Sequence, residues 1–84
     1  MDVQLSPESL SDLGKLDAGA VKRIVKRLGW LAENFDSITP DQLTGNLGDL
    51  YKYRVGDYRV LYDLTDDDTV IYVHRIGHRR NVYD

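Results

Sequence analysis

The stretch YKYRVGDYRVLY, Tyr51 to Tyr62, constrains the fold more tightly than any other part of the chain. Its residues alternate in polarity on both sides of Gly56-Asp57, and glycine at the first central position suits a type II′ two-residue turn. The stretch therefore reads as a β-hairpin that pairs Val55 with Tyr58 and Arg54 with Arg59. Side chains alternate across a strand, so Lys52, Arg54, Arg59 and Leu61 share one face, while Tyr51, Tyr53, Val55, Tyr58, Val60 and Tyr62 share the other. The aromatic face has to be buried. The basic face sets two arginines opposite each other, which costs from a few tenths up to about 1 kcal/mol. An anion belongs there.

The rest of the chain supplies what covers the aromatic face. Val3 to Leu5 is a short strand candidate. Ser6 is placed as an N-cap before Pro7, and Leu10, Leu13 and Leu16 follow at helical spacing. After a break at Leu16-Asp17-Ala18-Gly19, a longer amphipathic helix carries Val21, Ile24, Val25, Leu28, Leu31, Ala32 and Phe35 on one stripe. Lys22, Arg23, Lys26 and Arg27 lie on its other side, and Trp30 reads as a helix-packing residue. A turn-rich connection with Pro40, Gly45 and Gly48 leads into three strands, at about Leu50 to Val55, Tyr58 to Leu64 and Thr69 to Ile76. The order βααβββ predicts an α+β fold, a small antiparallel sheet with a helical hairpin packed on one face. The Lys/Arg face stays open. If Asp66-Asp67 makes the second turn, Arg59 opposes His74.

Composition limits the function classes. A chain of 84 residues builds a single domain, 1–84, around one modest core. It has no cysteine, hence no disulfide or thiolate site, and the N-terminus lacks the pattern of a signal peptide. No apolar run approaches a membrane span, so the expected location is the cytoplasm. The formal net charge of −3 argues against a generic nucleic-acid binder. Distribution matters more: acids gather at Asp63 and Asp66 to Asp68, whereas the end of the chain carries Arg75, Arg79 and Arg80.

The element order, the run LTGNLGDLYKYRVGDYRVLYDL and the closing GHRRNVY resemble the RelE branch of the RelE/ParE toxin superfamily. The resemblance spans essentially the whole chain. It implies the toxin of a type II toxin-antitoxin pair, a ribosome-dependent endoribonuclease that cuts mRNA in the A site. It also implies an extended, acidic, RelB-like antitoxin as partner, alongside the ribosome and mRNA. Carried over by position, the hairpin basic residues are Lys52, Arg54 and Arg59, the terminal arginine is Arg79 and the functional tyrosine is Tyr83. At position 54 this chain has arginine where the best-studied pattern has lysine.

Chemistry supports that reading. The basic face lacks a carboxylate and histidine set with metal-ligand spacing, so no metal or cofactor is called for. RNA supplies its own nucleophile, the 2′-hydroxyl beside the scissile phosphate, which DNA lacks. Lys52, Arg54 and Arg59 would stabilise the charge that develops on the phosphate, with Arg79 and Arg80 adding to the anion-binding surface. Tyr83 is the candidate base toward the 2′-hydroxyl. A guanidinium is effectively never deprotonated, so Arg79 serves best as a charge stabiliser, and His78 is the better candidate acid. Lys22, Arg23, Lys26 and Arg27 form either a solvated helix face or a grip on ribosomal RNA phosphates. The competing readings are a ParE-like DNA gyrase inhibitor without nuclease chemistry and an inactive relative that only binds an antitoxin.

Overall fold

Local capping sets where each helix begins. The computed structural model describes residues 1–43, 50–65 and 67–80. Ser6 Oγ accepts the Ser9 N–H at 3.0 Å to open helix α1 (Pro7–Gly14), with proline in the first turn where no N–H partner is needed. Asp17 repeats the device for helix α2 (Ala18–Glu33), accepting the Ala20 N–H at 2.7 Å. The strands are β1 (Asp2–Leu5), β2 (Asp41–Gln42), β3 (Tyr51–Val55), β4 (Tyr58–Leu64) and β5 (Val70–His78), and Phe35–Ser37 forms a turn of 3-10 helix.

The strands form one sheet in the order β1-β5-β4-β3-β2. The fold is α+β as expected, with two additions. The sheet is mixed, because β1 runs parallel to β5 after the chain crosses over through both helices. Part of the connection expected to be irregular forms β2, paired antiparallel with β3 through Asp41 and Gln42. Gly45 and Gly48 of that connection lie outside the described residues.

Both helices bury their apolar stripes on one sheet face. Leu13 from α1 and Ile24, Leu28, Leu31 and Ala32 from α2 meet Val55, Val60, Tyr62, Ile71, Val73 and Ile76. Each large side chain so buried contributes roughly 1.5–3 kcal/mol. Tyr62 is at the centre, stacked on Tyr51 with centroids 5.5 Å apart and met edge-on by Phe35 at 6.3 Å. Burial, then the neighbouring Tyr51, pushes its hydroxyl pKa up to about 12. The hairpin tyrosines belong to the core, as their alternation predicts.

Three apolar expectations fail. Leu10, Val25 and Trp30 are 56%, 53% and 41% exposed. On α2 the buried positions Ala20, Ile24, Leu28 and Leu31 form a narrow stripe that leaves Val25 and Trp30 on its flanks. On α1 the inward positions are Ser9, Asp12 and Leu13, so Leu10 turns outward. The inward face of α1 is polar for a structural reason. β1 ends at Leu5, and the polar groups of the β5 edge beyond it need partners. Ser6 N–H bonds Val73 O at 2.9 Å, Ser6 Oγ donates to His74 O at 2.8 Å, and Asp12 Oδ2 accepts the Ile76 N–H at 2.9 Å.

The β4–β5 register also differs from expectation. Thr65 N–H bonds Val70 O, so the two-residue turn expected at Asp66-Asp67 does not close the hairpin, and the ladder slips between Leu61 and Tyr62. Arg59 consequently opposes Gly77, and His74 falls in the slip instead of facing Arg59.

Asp12 also receives Arg75 Nε at 2.8 Å and Nη2 at 3.2 Å. Burial raises its carboxyl pKa, but the Arg75 and Ile76 hydrogen bonds and the Arg75 charge outweigh that and hold it below 3.8. Asp12→Ala, which strands the Ile76 N–H, should cost about 1–3 kcal/mol in a denaturant titration. Because the folded-state pKa is depressed, the stabilisation is complete above 3.8 and is lost as pH falls through the lower folded value. The gap between wild type and Asp12→Asn should therefore close in acid, and a gap constant with pH would sink the charge argument.

Candidate functional site

The hairpin turn sets the site. Gly56 has φ +57, and Asp68 is the only non-glycine with positive φ among the described residues, so Asp57 follows in ordinary backbone as a type II′ turn requires. Val55 pairs with Tyr58 and Arg54 with Arg59, as the alternation predicts. With Val55 and Tyr58 closing a two-residue turn, Arg54 and Arg59 form a non-hydrogen-bonded pair, whose Cα atoms approach to about 4.5 Å in such ladders. The two guanidinium groups start from adjacent positions on the face away from the helices.

That face is ordered in rows. Arg54, Arg59 and Gly77 make the first. Gly77 adds no side chain to that row. The second row is Asp41, Lys52, Leu61 and Arg75. Lys52 Nζ lies 3.5 Å from Asp41 Oδ2, an exposed pair with side chains 38% and 64% accessible, which an anion can displace at little cost. Arg75 is already committed to Asp12, which lifts its pKa further through hydrogen bonding and charge. A third row holds Asp63 and Tyr72, with His74 beside them: His74 Nε2 is 4.0 Å from Asp63 Oδ2, and its ring meets Tyr72 edge-on at 4.8 Å. The face thus runs from cationic at the hairpin turn to acidic at the far end.

Arg59 is held in place by its own turn. Its Nη1 donates to Gly56 O at 3.1 Å and to Tyr58 O at 3.0 Å, leaving its other donors to point elsewhere. Arg54 makes no ion pair among the described residues. Arg79, just past the end of β5, donates its backbone N–H to Asp57 O at 2.8 Å, which keeps the chain beside the turn.

His78 is not brought to this face. It opposes Tyr58, meets the Tyr58 ring edge-on at 6.1 Å, and so shares the helix side of the sheet. Its Nδ1 accepts the Arg80 N–H at 3.3 Å, leaving Nε2 to carry the ring hydrogen. Arg80 itself is exposed. Tyr83 lies outside the described residues. On α2, Arg23, Lys26 and Arg27 line one groove with Arg54, and Lys22 does not. The Asp41 partner of Lys52 and the pairing of Gly77 with Arg59 escape sequence reasoning, because both depend on pairings between distant segments. Trp30 was missed as a groove residue, although a signal existed: Arg23, Lys26, Arg27 and Trp30 recur at intervals that put them on one side of a helix.

A two-helix, five-stranded α+β fold with an exposed cationic hairpin defines a class, the small toxins of toxin-antitoxin systems. Residues 3–83 match the family described as the ParE toxin of the type II toxin-antitoxin system, parDE, and the chain belongs to that family within the RelE/ParE superfamily. Solved structures agree on the fold. The RelBE2 toxin-antitoxin complex from Mycobacterium tuberculosis matches with a TM-score of 0.81 at 26% identity, over 93% of this chain and 96% of that one. The isolated E. coli RelE toxin matches with a TM-score of 0.73 at 24% identity, over 92% and 82%. The YoeB/ParE toxin from Agrobacterium tumefaciens matches at 0.72 and 19%, over 93% and 98%. No curated protein sequence matches the chain. It is a toxin of a type II toxin-antitoxin system.

Crowding of the two arginines is a cost in the absence of ligand. Arg54→Gln should leave the protein as stable as wild type or up to about 1 kcal/mol more stable in a thermal melt at low salt. Adding inorganic phosphate should raise the wild-type melting temperature more than that of the variant.

Proposed function

We propose that this toxin is a ribosome-dependent endoribonuclease that cleaves mRNA in the A site without a metal. The observation that carries the reading is the Arg54–Arg59 pair, set side by side on the face away from the helices, with no carboxylate partner among the described residues and with Gly77 opposite Arg59. A phosphodiester seated there relieves the repulsion and has its developing charge stabilised. In the reaction the 2′-oxygen attacks the adjacent phosphorus and the bond from phosphorus to the 5′-oxygen breaks. Tyr83 takes the 2′-proton, and the departing 5′-oxygen gains a proton from water. The products are a 2′,3′-cyclic phosphate and a 5′-hydroxyl.

Lys52, Arg54, Arg59 and Arg79 hold the phosphate, with Arg80 on the approach. His78, on the helix side, takes no part in proton transfer. An acidic, extended antitoxin fits the same exposed cations; the matched RelBE2 structure is a toxin-antitoxin complex and the matched archaeal structure a RelE-RelB complex. The second reading, inhibition of DNA gyrase, is favoured by the ParE description of the matched family.

Primer extension on a defined mRNA in translating ribosomes separates the two. Wild type should cut inside the A-site codon only when ribosomes are present. Arg59→Ala, Arg79→Ala and Tyr83→Phe should each lower the rate by about 10²-fold or more. His78→Gln should leave both the rate and its pH profile unchanged. An inert wild type that blocks gyrase supercoiling would transfer the assignment to the second reading.

A further inference from the structure

The α2 cations have a structural destination that the cleavage chemistry does not use. Arg23, Lys26 and Arg27 from α2 and Arg54 from β3 line an open groove of about 460 Å³, with Val55 and Gly56 at its end. No carboxylate lines it, and none of its four cations makes an ion pair among the described residues. In a chain with a net charge of −3, so many unneutralised cations in one hollow mark an anion site. Asp57 lines an adjoining, smaller hollow beyond Gly56, which Arg23 also reaches.

Two features say what kind of anion. Arg27 lies 4.8 Å from the centroid of Trp30, a residue 41% exposed, and 5.8 Å from the centroid of Tyr53. Cations interleaved with an exposed aromatic suit a single strand of nucleic acid, whose bases stack while its phosphates are neutralised. The β3 edge is also open at this point. Leu43 N–H meets Leu50 O, so by alternation Lys52 and Arg54 turn their backbone groups toward the β2 side, yet β2 pairs only as far as Lys52. The Arg54 N–H therefore points off the edge into the groove mouth.

We propose that this groove is a second RNA-binding track, in which a single strand passes from the cationic face over the β3 edge at Arg54. Its phosphates lie along Arg23 and Lys26, with a base against the Arg27–Trp30 stack. Arg54 belongs to both surfaces and joins them. The inference extends the proposed nuclease reading by assigning the strand a path, but its test does not depend on cleavage.

Trp30 is the single tryptophan of the chain, so its fluorescence reports on the groove directly. A short single-stranded oligouridylate, titrated into the free protein at low salt with no ribosomes present, should perturb that emission with saturation. Replacing Arg23 and Lys26 together, as the Ala pair and separately as the Gln pair, should weaken binding by roughly tenfold and lower the slope of log K against log salt by about 1.4. Lys22→Ala, a cation of the same helix that does not line the groove, should keep most of the signal. Circular dichroism confirms that each variant is folded. No saturable change with RNA, unaltered binding in both folded double variants, or equal binding of polyglutamate would overturn the proposal, the last by assigning the groove to an acidic peptide. A chain that cleaves mRNA without this signal loses the groove alone, and one that gives the signal without cleaving loses the nuclease reading alone.

Discussion

The edge of β5 has to be satisfied along its whole length, and the chain has only four residues of β1 with which to do it. Beyond Leu5 the task passes to side chains: Ser6 serves Val73 and His74 while it caps α1, and Asp12, one helical turn and a half later, takes the Ile76 N–H and the Arg75 guanidinium. The start of α1, its rotation and its position along β5 follow from these bonds. Once α1 is fixed, Leu13 reaches the core, and the short connection through Asp17 sets α2 across the same sheet face. Both helices pack on one side of the sheet; on the other, Leu61 is 2% exposed, so the face expected to stay open is covered at that point, while Arg54 nearer the hairpin turn is exposed.

How that other side keeps its cations free is a question of placement. The protein has more acids than bases, yet those resolved on the open face lie away from Arg54 and Arg59: Asp63 in the row of Tyr72, Asp41 beside Lys52, and Asp12 around the edge on Arg75. Asp67 is occupied within its own turn, where the Thr69 and Thr65 hydroxyls and the Thr69 N–H lower its pKa. The cations at the hairpin turn and the α2 groove are therefore left to partners from outside. A mildly acidic total and a strongly basic local surface are compatible because Asp63 lies along β4 from Arg59 by roughly 13 Å at the usual strand rise, beyond the ~8 Å screening length at physiological salt.

The hairpin register, the buried tyrosines and both N-caps were legible in the sequence, because each rests on contacts between near neighbours in the chain. The α+β class was legible for the same reason. What was not legible depends on long-range pairing. The polar inner face of α1 makes sense only once the bare edge of β5 is known, and leucine spacing alone misassigned Leu10. Val25 and Trp30 sit on a helix whose true stripe is narrower than their hydrophobicity suggested. His78 was chosen as the candidate acid for the chemistry of imidazole, but side-chain chemistry does not say which face of a strand a residue takes, and its pairing with Tyr58 sets it on the helix side.

The slip in β5 at His74 shows how one extra residue serves both the core and the site. Above it, Tyr62 pairs with Val73 and Leu64 with Ile71, and all four lean toward the helices. Continued without interruption, the same register would set Arg59 against Ile76, throwing Ile76 onto the open face and Gly77 into the core. With the extra residue, Val60 pairs with Ile76, which is 2% exposed, and Gly77 falls beside Arg59. A bulge of this kind is the usual way in which a strand re-aims its side chains next to a functional surface. Here it removes an apolar side chain from the cationic row and leaves bare backbone in its place. The lack of a side chain opposite Arg59 thus comes from the same irregularity that keeps Ile76 buried, so neither can be altered without the other.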